Sequence, residues 1–237
     1  MAKAQKENIF YNLGFNMILP IFLLTKGTKL LGIEPLPNLL LALSLPLGYG
    51  IFDAITRKKC NLFSVLGFVS ILIKGSIGIF KGSVEMVAIN EAALPLLLGA
   101  AVLITLKTKN PLVKELLYTE QVFNVDLITT HLKERGSERA FDLLLRRCTV
   151  LLALSFLLSS ILNYVMAKVF VHTAPAVNLE AFNAEVGAMQ GWSYLFIVLP
   201  TSLVTFSALF VLIKGIKRLT GLDFEAALKQ PEPKTKA

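Results

Sequence analysis

Six long apolar segments constrain the fold of this 237-residue chain more than any other feature. They lie at about residues 9–25, 36–56, 61–80, 86–106, 149–170 and 192–213. Each comes near the roughly 20 residues that a helix needs to cross the hydrocarbon core of a bilayer. Because that core offers no water to backbone groups, a spanning segment of this kind is helical. The pattern predicts an all-α, polytopic membrane protein with six transmembrane helices in a single domain over residues 1–226.

The basic residues are distributed unevenly around these segments. Of the 24 Lys and Arg residues, 19 lie in the N-terminal tail, the 57–60 loop, the 107–148 segment and the C-terminal tail. Loops rich in Lys and Arg stay on the cytoplasmic side of a membrane. The distribution therefore predicts a multi-pass protein of the bacterial inner (cytoplasmic) membrane with both termini in the cytoplasm.

The formal net charge of +8 raises the question of a nucleic-acid partner. The basic residues lie beside apolar segments instead of forming one basic face, so nucleic acid is excluded as a partner. The expected partners are the lipid bilayer itself and anionic lipids at its inner face. A homo-oligomer and cell-envelope proteins are further candidates that the sequence leaves open.

The 110–147 stretch is the largest connection and is predicted to be a cytoplasmic amphipathic segment. In "NVDLITTHLKERGSERAFDLLLRR" apolar and charged residues alternate at helical spacing, and Gly136 interrupts the pattern. We expect one helix to end near Arg135 and a second to follow Ser137 and continue into the fifth span. The segment is either a membrane-surface or partner-docking helix, or a solvated connector on the inner leaflet. Residues 227–237 are predicted to be a disordered tail.

Polar side chains inside three of the spans are predicted to meet at one depth. A rise of about 1.5 Å per residue puts Lys74, Glu91 and Asn163 at roughly 20–22 Å from the inner surface. Asn90 lies close to the same level. Charges inside a bilayer are costly, so a Lys74–Glu91 ion pair is expected. The group either holds helices together or lines a cavity that binds or passes a ligand.

A second polar cluster is predicted nearer the cytoplasm. Asn12 and Asn16 are four residues apart on the first helix, and Tyr49 and Asp53 are four apart on the second. Their depths overlap, which predicts contact between the two helices. An ion pair between Asp53 and Arg57, within one helix, explains that carboxylate without any function and is the favoured interpretation.

Four of the spans contain a proline. Pro20, Pro46, Pro95 and Pro200 each remove a backbone donor and are expected to kink their helices. Broken helices of this kind are typical of transporters, which bind their substrates where the breaks occur.

No pattern in the chain indicates catalysis. Motifs such as HExxH, GxSxG, GxGxxG and the Walker loop are absent. Cys60 and Cys148 lie in no CxxC or Cys/His cluster, so no metal site is predicted. We therefore expect no catalytic residues, no metal and no cofactor, and the protein is predicted not to be an enzyme.

Residues 57–171 resemble a family of small bacterial inner-membrane proteins, the intracellular septation protein A group. The likeness is carried by Gly75, Gly78, the "KNPLVKELL" stretch at the inner end of the fourth span, and Asn163. It implies an integral inner-membrane protein linked to envelope integrity and division, with no established chemistry and no catalytic residues. In that family the position of Asn90 tends to carry a lysine.

Two functions agree with these features. The first is an inner-membrane protein of envelope homeostasis that binds or transports a small polar or lipid-like ligand at Lys74, Glu91, Asn90 and Asn163. The alternative is a membrane scaffold, without transport, that recruits cell-envelope or division partners through its basic inner face.

Overall fold

The chain folds into helices joined by short connections. The computed structural model describes residues 14–57, 80, 82–106, 112–119 and 122–229, and this part of the chain contains no strand. Its helical elements are α1 (14–31), α2 (Pro35–Arg57), α3 (Val84–Thr105), α4 (Leu112–Leu116), α5 (Val125–Glu134), α6 (Glu138–Phe170), α7 (Leu179–Thr220) and α8 (Phe224–Ala227).

Four helices of the described part, α2, α3, α6 and α7, are long and apolar enough to cross a membrane. They contain the second, fourth, fifth and sixth predicted spans. The first predicted span, 9–25, overlaps α1 from residue 14 onward, and the third, 61–80, lies outside the described residues except for Phe80. The all-helical class and four of the spans are therefore supported, whereas the number six stays a prediction.

The surfaces of the long helices are apolar. Large side chains such as Leu40, Leu97, Leu157, Leu203 and Phe206 are exposed on α2, α3, α6 and α7. Exposing so many apolar side chains to water is unfavourable, whereas the hydrocarbon core of a bilayer accommodates them. The described helices are those of a membrane protein.

The last long helix begins earlier than the sequence predicts. Residues 171–191 were expected to form a loop, but α7 begins at Leu179, where the Asn178 side chain accepts a hydrogen bond from the Ala181 N–H. This side chain caps the helix, because it satisfies a backbone donor that the first turn leaves free. Apolar residues such as Phe182 and Val186 are then buried along it.

Turns of π-helix precede two of the four prolines. In α1 the turn Gly14–Ile18 ends two residues before Pro20, and in α7 the turn Tyr194–Val198 ends two residues before Pro200. A second π-type turn, Leu23–Gly27, follows in α1. A proline displaces the helical hydrogen bonds before it, and a wider turn accommodates that displacement. Pro46 and Pro95 lie inside regular α-helix.

The helix break predicted at Gly136 is confirmed. α5 ends at Glu134, Gly136 takes a φ of 60°, and α6 begins at Glu138. The Ser137 N–H bonds to the Leu132 carbonyl and the Gly136 N–H to the Lys133 carbonyl, the pattern of a Schellman motif. Glycine is favoured there because it has no Cβ and can take a left-handed conformation without a steric clash.

The contacts group into two compact units. The first, here called the cavity unit, comprises Met1–Leu94 and Ser160–Val198, and its core includes Leu24, Ala42, Ala88 and Ala167. The second, here called the tail unit, comprises Pro95–Ser159 and Leu199–Ala237. Its core includes Phe123, Ile128, Phe141, Leu212 and the free thiol Cys148. Cys60 lies outside the described residues.

In the tail unit the amphipathic segment packs against the C-terminal segment. The Asn124 N–H donates to the Ala227 carbonyl and the Lys229 N–H to the Val122 carbonyl, both at 2.9 Å. Ala227 is buried, so the prediction of a disordered tail from residue 227 is wrong for residues 227–229, while 230–237 lie outside the described part. The apolar residues Ile128 and Leu132 of α5 are also buried, which means that this face packs inside the protein and not on the bilayer.

Candidate functional site

A cavity of about 310 Å³ lies in the cavity unit, between α1, α2, α3, α6 and α7. Its volume is in the range of small-molecule sites in proteins. The residues that line it come from four helices that carry predicted spans and from α1. The cavity is therefore built within apolar helices and not at a solvated loop.

One wall of the cavity is apolar. It is formed by α1 and α2, and every lining residue that these two helices contribute is apolar: Pro20, Ile21, Leu24, Ala42, Leu43 and Pro46. Two of the four predicted helix-kinking prolines thus face the cavity. This wall can offer only van der Waals contact through its side chains.

The other three lining helices contribute the polar groups. Five polar residues line the cavity, and all of them come from α3, α6 and α7: Glu91, Asn163, Gln190, Ser193 and Tyr194. The same helices also contribute the apolar residues Met166, Met189 and Ile197. On α7 the polar residues follow the spacing of one helix face, because Gln190, Ser193 and Tyr194 are three and four residues apart. The Ser193 hydroxyl donates to the Gln190 carbonyl at 2.7 Å, which leaves its oxygen able to accept.

Close contacts of α1 with α2 and α7 shape this cavity. A Cβ at Gly187 would lie 2.7 Å from Cγ2 of Thr25 and 2.9 Å from Cβ of Leu24, so only glycine lets α7 approach α1 this closely. The Asn38 amide donates to the Leu23 carbonyl at 2.7 Å. The Asn183 amide donates to the Pro35 carbonyl at 2.8 Å and joins α7 to the start of α2.

A second, smaller cavity of about 20 Å³ adjoins the first. The two cavities share Leu24, Leu43, Glu91 and Gln190 as lining residues. The small cavity adds Asn90, which is only 8% exposed, and its Nδ2 finds no acceptor among the described residues. The remaining lining residues are apolar: Leu39, Val87, Phe182 and Val186.

The structure brings together part of the predicted outer site. Glu91 and Asn163 line the larger cavity, and Asn90 and Glu91 line the smaller one. Lys74 lies outside the described residues, so its predicted ion pair with Glu91 stays a prediction. Gln190, Ser193 and Tyr194 were not predicted as lining residues: Gln190 falls in the predicted loop 171–191, and Ser193 and Tyr194 fall at the very start of the sixth predicted span.

The predicted inner cluster is described only at Tyr49. Its ring stacks on Phe15, with 6.3 Å between ring centroids and an interplanar angle of 13°. This contact joins α1 to α2. Asn12 lies outside the described residues, as do the side chains of Asn16 and Asp53.

Two acidic residues that were not among the predicted site residues join elements of the cavity unit. Glu85 accepts hydrogen bonds from the Tyr164 hydroxyl and from the Lys168 ammonium, both at 2.7 Å, which ties the start of α3 to the end of α6. Glu185 accepts from the backbone N–H groups of His172 and Thr173 and from the Thr173 hydroxyl, each at 2.8 Å. It satisfies donors that follow α6.

The polar groups of the cavity are suited to hydrogen bonding. Among the described residues, no group of three or more His, Cys, Asp and Glu side chains is arranged to hold a metal ion. The polar wall supplies one carboxylate, two amides and two hydroxyls, which recognise hydrogen-bonding groups. The chain matches no family model, no curated protein and no solved structure.

Proposed function

We propose that this protein is a six-span bacterial inner-membrane protein that binds a small amphipathic ligand beside Glu91 and moves it during envelope homeostasis. The observation that carries the proposal is the separation of the two walls. Everything that α1 and α2 contribute to the cavity is apolar, and all of its polar groups come from α3, α6 and α7.

This separation favours an amphipathic ligand over a fully polar solute. A polar solute would leave some of its own groups without hydrogen bonds against the apolar wall, at a cost of about 1–3 kcal/mol for each. A purely apolar ligand would make no use of the donors and acceptors that α3, α6 and α7 present to the cavity. A molecule with a polar head and an apolar body satisfies both walls.

The paired π-type turns support movement of the ligand. α1 and α7 each carry a π-type turn just before a proline, and residues of both helices line the cavity. Turns of this type occur often at functional sites, and interrupted helices beside a binding site are typical of transporters. We propose that α1 and α7 bend at these points when the ligand enters or leaves.

Contacts inside the tail unit support the predicted topology. Residues 122–124 bond to residues 227–229, and the Ser137 hydroxyl donates to the Leu219 carbonyl at 3.1 Å. These bonds support a topology in which two predicted inner segments, 107–148 and the C-terminal tail, share one side of the membrane. The fifth and sixth predicted spans, which lie between the two segments, would return the chain to that side.

Contacts inside the cavity unit support a span between α2 and α3. The start of α2 bonds to Asn183, Glu185 bonds to Thr173 after α6, and Lys168 bonds to Glu85 at the start of α3. α2 and α3 thus begin at the same end, although α2 runs for 23 residues away from it. We propose that the predicted span at 61–80, which lies outside the described residues except for Phe80, brings the chain back to that end.

The chain contains one tryptophan, which provides a direct test of ligand binding. Trp192 precedes the cavity residues Ser193 and Tyr194 and is half-exposed. In nanodiscs, 11-bromoundecan-1-ol should quench its fluorescence in two parts, a linear part from bromoalcohol in the lipid and a saturable part from bromoalcohol in the cavity. Undecan-1-ol should remove only the saturable part by competition.

A cavity-filling variant and a matched control separate the two parts. Ala42 is 1% exposed and lies on the apolar wall, so Ala42→Leu should abolish the saturable part. Leu41→Phe also enlarges a side chain of α2, but at an exposed position that does not line the cavity, and should leave the saturable part unchanged. The proposal fails if the wild type shows only linear quenching with each amphiphile tested.

The scaffold function is a second candidate, favoured by one feature of the tail unit. Basic side chains on α6 and α7 are exposed beside the folded inner segment, and they offer a charged surface to a partner: Arg139, Arg146, Arg147, Lys214, Lys217 and Arg218. Under this alternative, replacing these residues by Gln should abolish an envelope phenotype that Ala42→Leu leaves intact. The ligand-binding proposal expects the reverse.

A further inference from the structure

The small cavity beside Asn90 narrows the class of ligand, provided that the proposed ligand-binding function holds. We infer that it is a subsite for one uncharged oxygen atom of the ligand, and that the ligand is a neutral amphiphile with a hydroxyl head group. Three features of the small cavity support this inference: its volume, its lining and the Asn90 amide.

The volume limits the group to about one heavy atom. A cavity of about 20 Å³ slightly exceeds the smallest that holds a water molecule. A hydroxyl oxygen fits such a space, whereas a phosphate, a carboxylate or a trimethylammonium group does not. Leu24, Leu43, Glu91 and Gln190 line both cavities, so a ligand in the larger one can extend its head group into the smaller one.

The Asn90 amide selects a hydrogen-bond acceptor. Asn90 is more than nine-tenths buried, and its Nδ2 has no acceptor among the described residues. A buried donor without an acceptor is costly, and a ligand oxygen that accepts from it removes this cost. An ammonium head group has no lone pair to accept with and cannot serve.

Glu91 and Gln190 complete the preference for a hydroxyl. Both line the small cavity together with Asn90, and both carry oxygens with several lone pairs. A hydroxyl can accept from the Asn90 amide and donate to one of these oxygens at the same time. A carboxylate head group has no proton to donate, so it could make only the first of these two hydrogen bonds.

Three brominated probes of equal chain length test the inference by quenching of Trp192 in nanodiscs. They are 11-bromoundecan-1-ol, 11-bromoundecanoate and (11-bromoundecyl)trimethylammonium, which differ only in the head group. We expect saturable quenching of the wild type to be tightest with the alcohol. Tighter saturable binding of the carboxylate or of the ammonium probe would overturn the inference but leave the ligand-binding proposal standing.

Two substitutions at Asn90 test whether this side chain causes the preference for the alcohol probe. Asn90→Leu keeps a similar volume but removes the donor, so its affinity for the alcohol should fall about fivefold, the loss expected for one neutral hydrogen bond. Asn90→Ser keeps a donor and should recover part of this loss. The affinities for the other two probes should stay as they are in the wild type. Unchanged alcohol binding by Asn90→Leu would overturn the inference.

A stability measurement separates binding from a structural role of Asn90. Without a ligand, Asn90→Leu should unfold at the same or a higher temperature than the wild type, because it replaces a buried amide whose Nδ2 has no acceptor in the described part of the chain by an apolar side chain. A structural role would instead lower the unfolding temperature. If no probe quenches the wild type saturably, both the proposed function and this inference fail. If the alcohol is not the tightest probe, only this inference fails.

Discussion

The side-chain amide of Asn38, on α2, donates a hydrogen bond of 2.7 Å to the backbone carbonyl of Leu23, where the second π-type turn of α1 begins. The Oδ1 atom of the same side chain lies against Gly27, at the end of that turn, where any Cβ would clash with it. One buried asparagine therefore bonds to the start of the irregular turn and packs against its end. The turn is a product of two helices and not of α1 alone.

Replacing Asn38 by Leu should destabilise the protein. The substitution removes a donor from a buried carbonyl, which costs about 1–3 kcal/mol. Thermal unfolding in nanodiscs measures the effect. Ser44→Ala is the matched control on the same helix, because the Ser44 hydroxyl donates only to the local Leu41 carbonyl. Equal unfolding temperatures for Asn38→Leu and Ser44→Ala would show that the bond to Leu23 contributes nothing.

Two buried glycines should differ in their tolerance of a methyl group. Gly187→Ala brings its Cβ against Leu24 Cβ and Thr25 Cγ2, atoms close to the backbone that cannot move aside. We expect a loss of about 1–3 kcal/mol and weaker ligand binding, since Leu24 also lines the cavity. Gly215→Ala meets the terminal methyl groups of Leu144, which can change rotamer, and should cost less. The reverse order in thermal unfolding would contradict the close approach of α1 and α7.

Cysteine labelling in intact cells tests the topology. In a background without Cys60 and Cys148, a membrane-impermeant maleimide should label Val177→Cys, in the predicted outer connection, where the native side chain is 82% exposed. Glu225→Cys, on the exposed surface of α8, should be labelled only after the cells are permeabilised. Labelling of both in intact cells, or only of Glu225→Cys, would reverse or refute the predicted orientation.

Stability should fall at alkaline pH because of Tyr118 in the tail unit. Its ring packs against Phe123 and Phe141, at centroid distances of 5.7 and 5.2 Å, and burial raises the pKa of Tyr118 to about 12. A pKa that is raised in the folded state stabilises the fold below the ordinary value of about 10. That contribution, about 3 kcal/mol, is lost as the pH rises through 12.

The variant Tyr118→Phe isolates this effect, because it keeps the ring and removes the hydroxyl. Between about pH 10 and pH 12 the wild type should lose free energy of unfolding relative to the variant. An absorbance titration should also contain one fewer high-pKa tyrosine in the variant. Parallel stability profiles for the two proteins would contradict the assignment to Tyr118.

The predicted ion pair between Lys74 and Glu91 can be tested by exchanging its charges. If the two side chains pair, Lys74→Glu and Glu91→Lys should each lower expression in the membrane, and the double variant should restore it. The physical reason is that an isolated charge inside a bilayer costs about 3 kcal/mol on insertion scales. Additive losses in the double variant would refute the pairing.

Helix identity was predictable wherever hydropathy alone decides it. The second, fourth and fifth predicted spans fall within α2, α3 and α6, because about 20 apolar residues have few alternatives to a membrane helix. Gly136 and Ser137 marked the boundary between α5 and α6 because a left-handed glycine ends a helix through local chemistry. Such signals need no knowledge of the neighbouring elements.

The start of α7 was missed for the opposite reason. Glu180, Asn183 and Glu185 lower the hydropathy of residues 179–191 and made that stretch resemble a loop. In the folded protein, Asn183 and Glu185 instead bond backbone groups of other elements, the Pro35 carbonyl and the Thr173 N–H. Polar residues that stabilise a helix through distant partners cannot be told from loop residues without those partners.

The sequence alone determined the apolar, membrane-helix character of this protein, because it follows from local composition. The depth of Glu91 and Asn163 stays a prediction from the fixed rise of a helix. Only the tertiary structure decided that these two residues line one cavity with Gln190, Ser193 and Tyr194 and with apolar residues of α1 and α2. The rotation of each helix about its axis sets which face turns inward. That rotation is decided by packing, as at Gly187 and Asn38, between residues far apart in the chain.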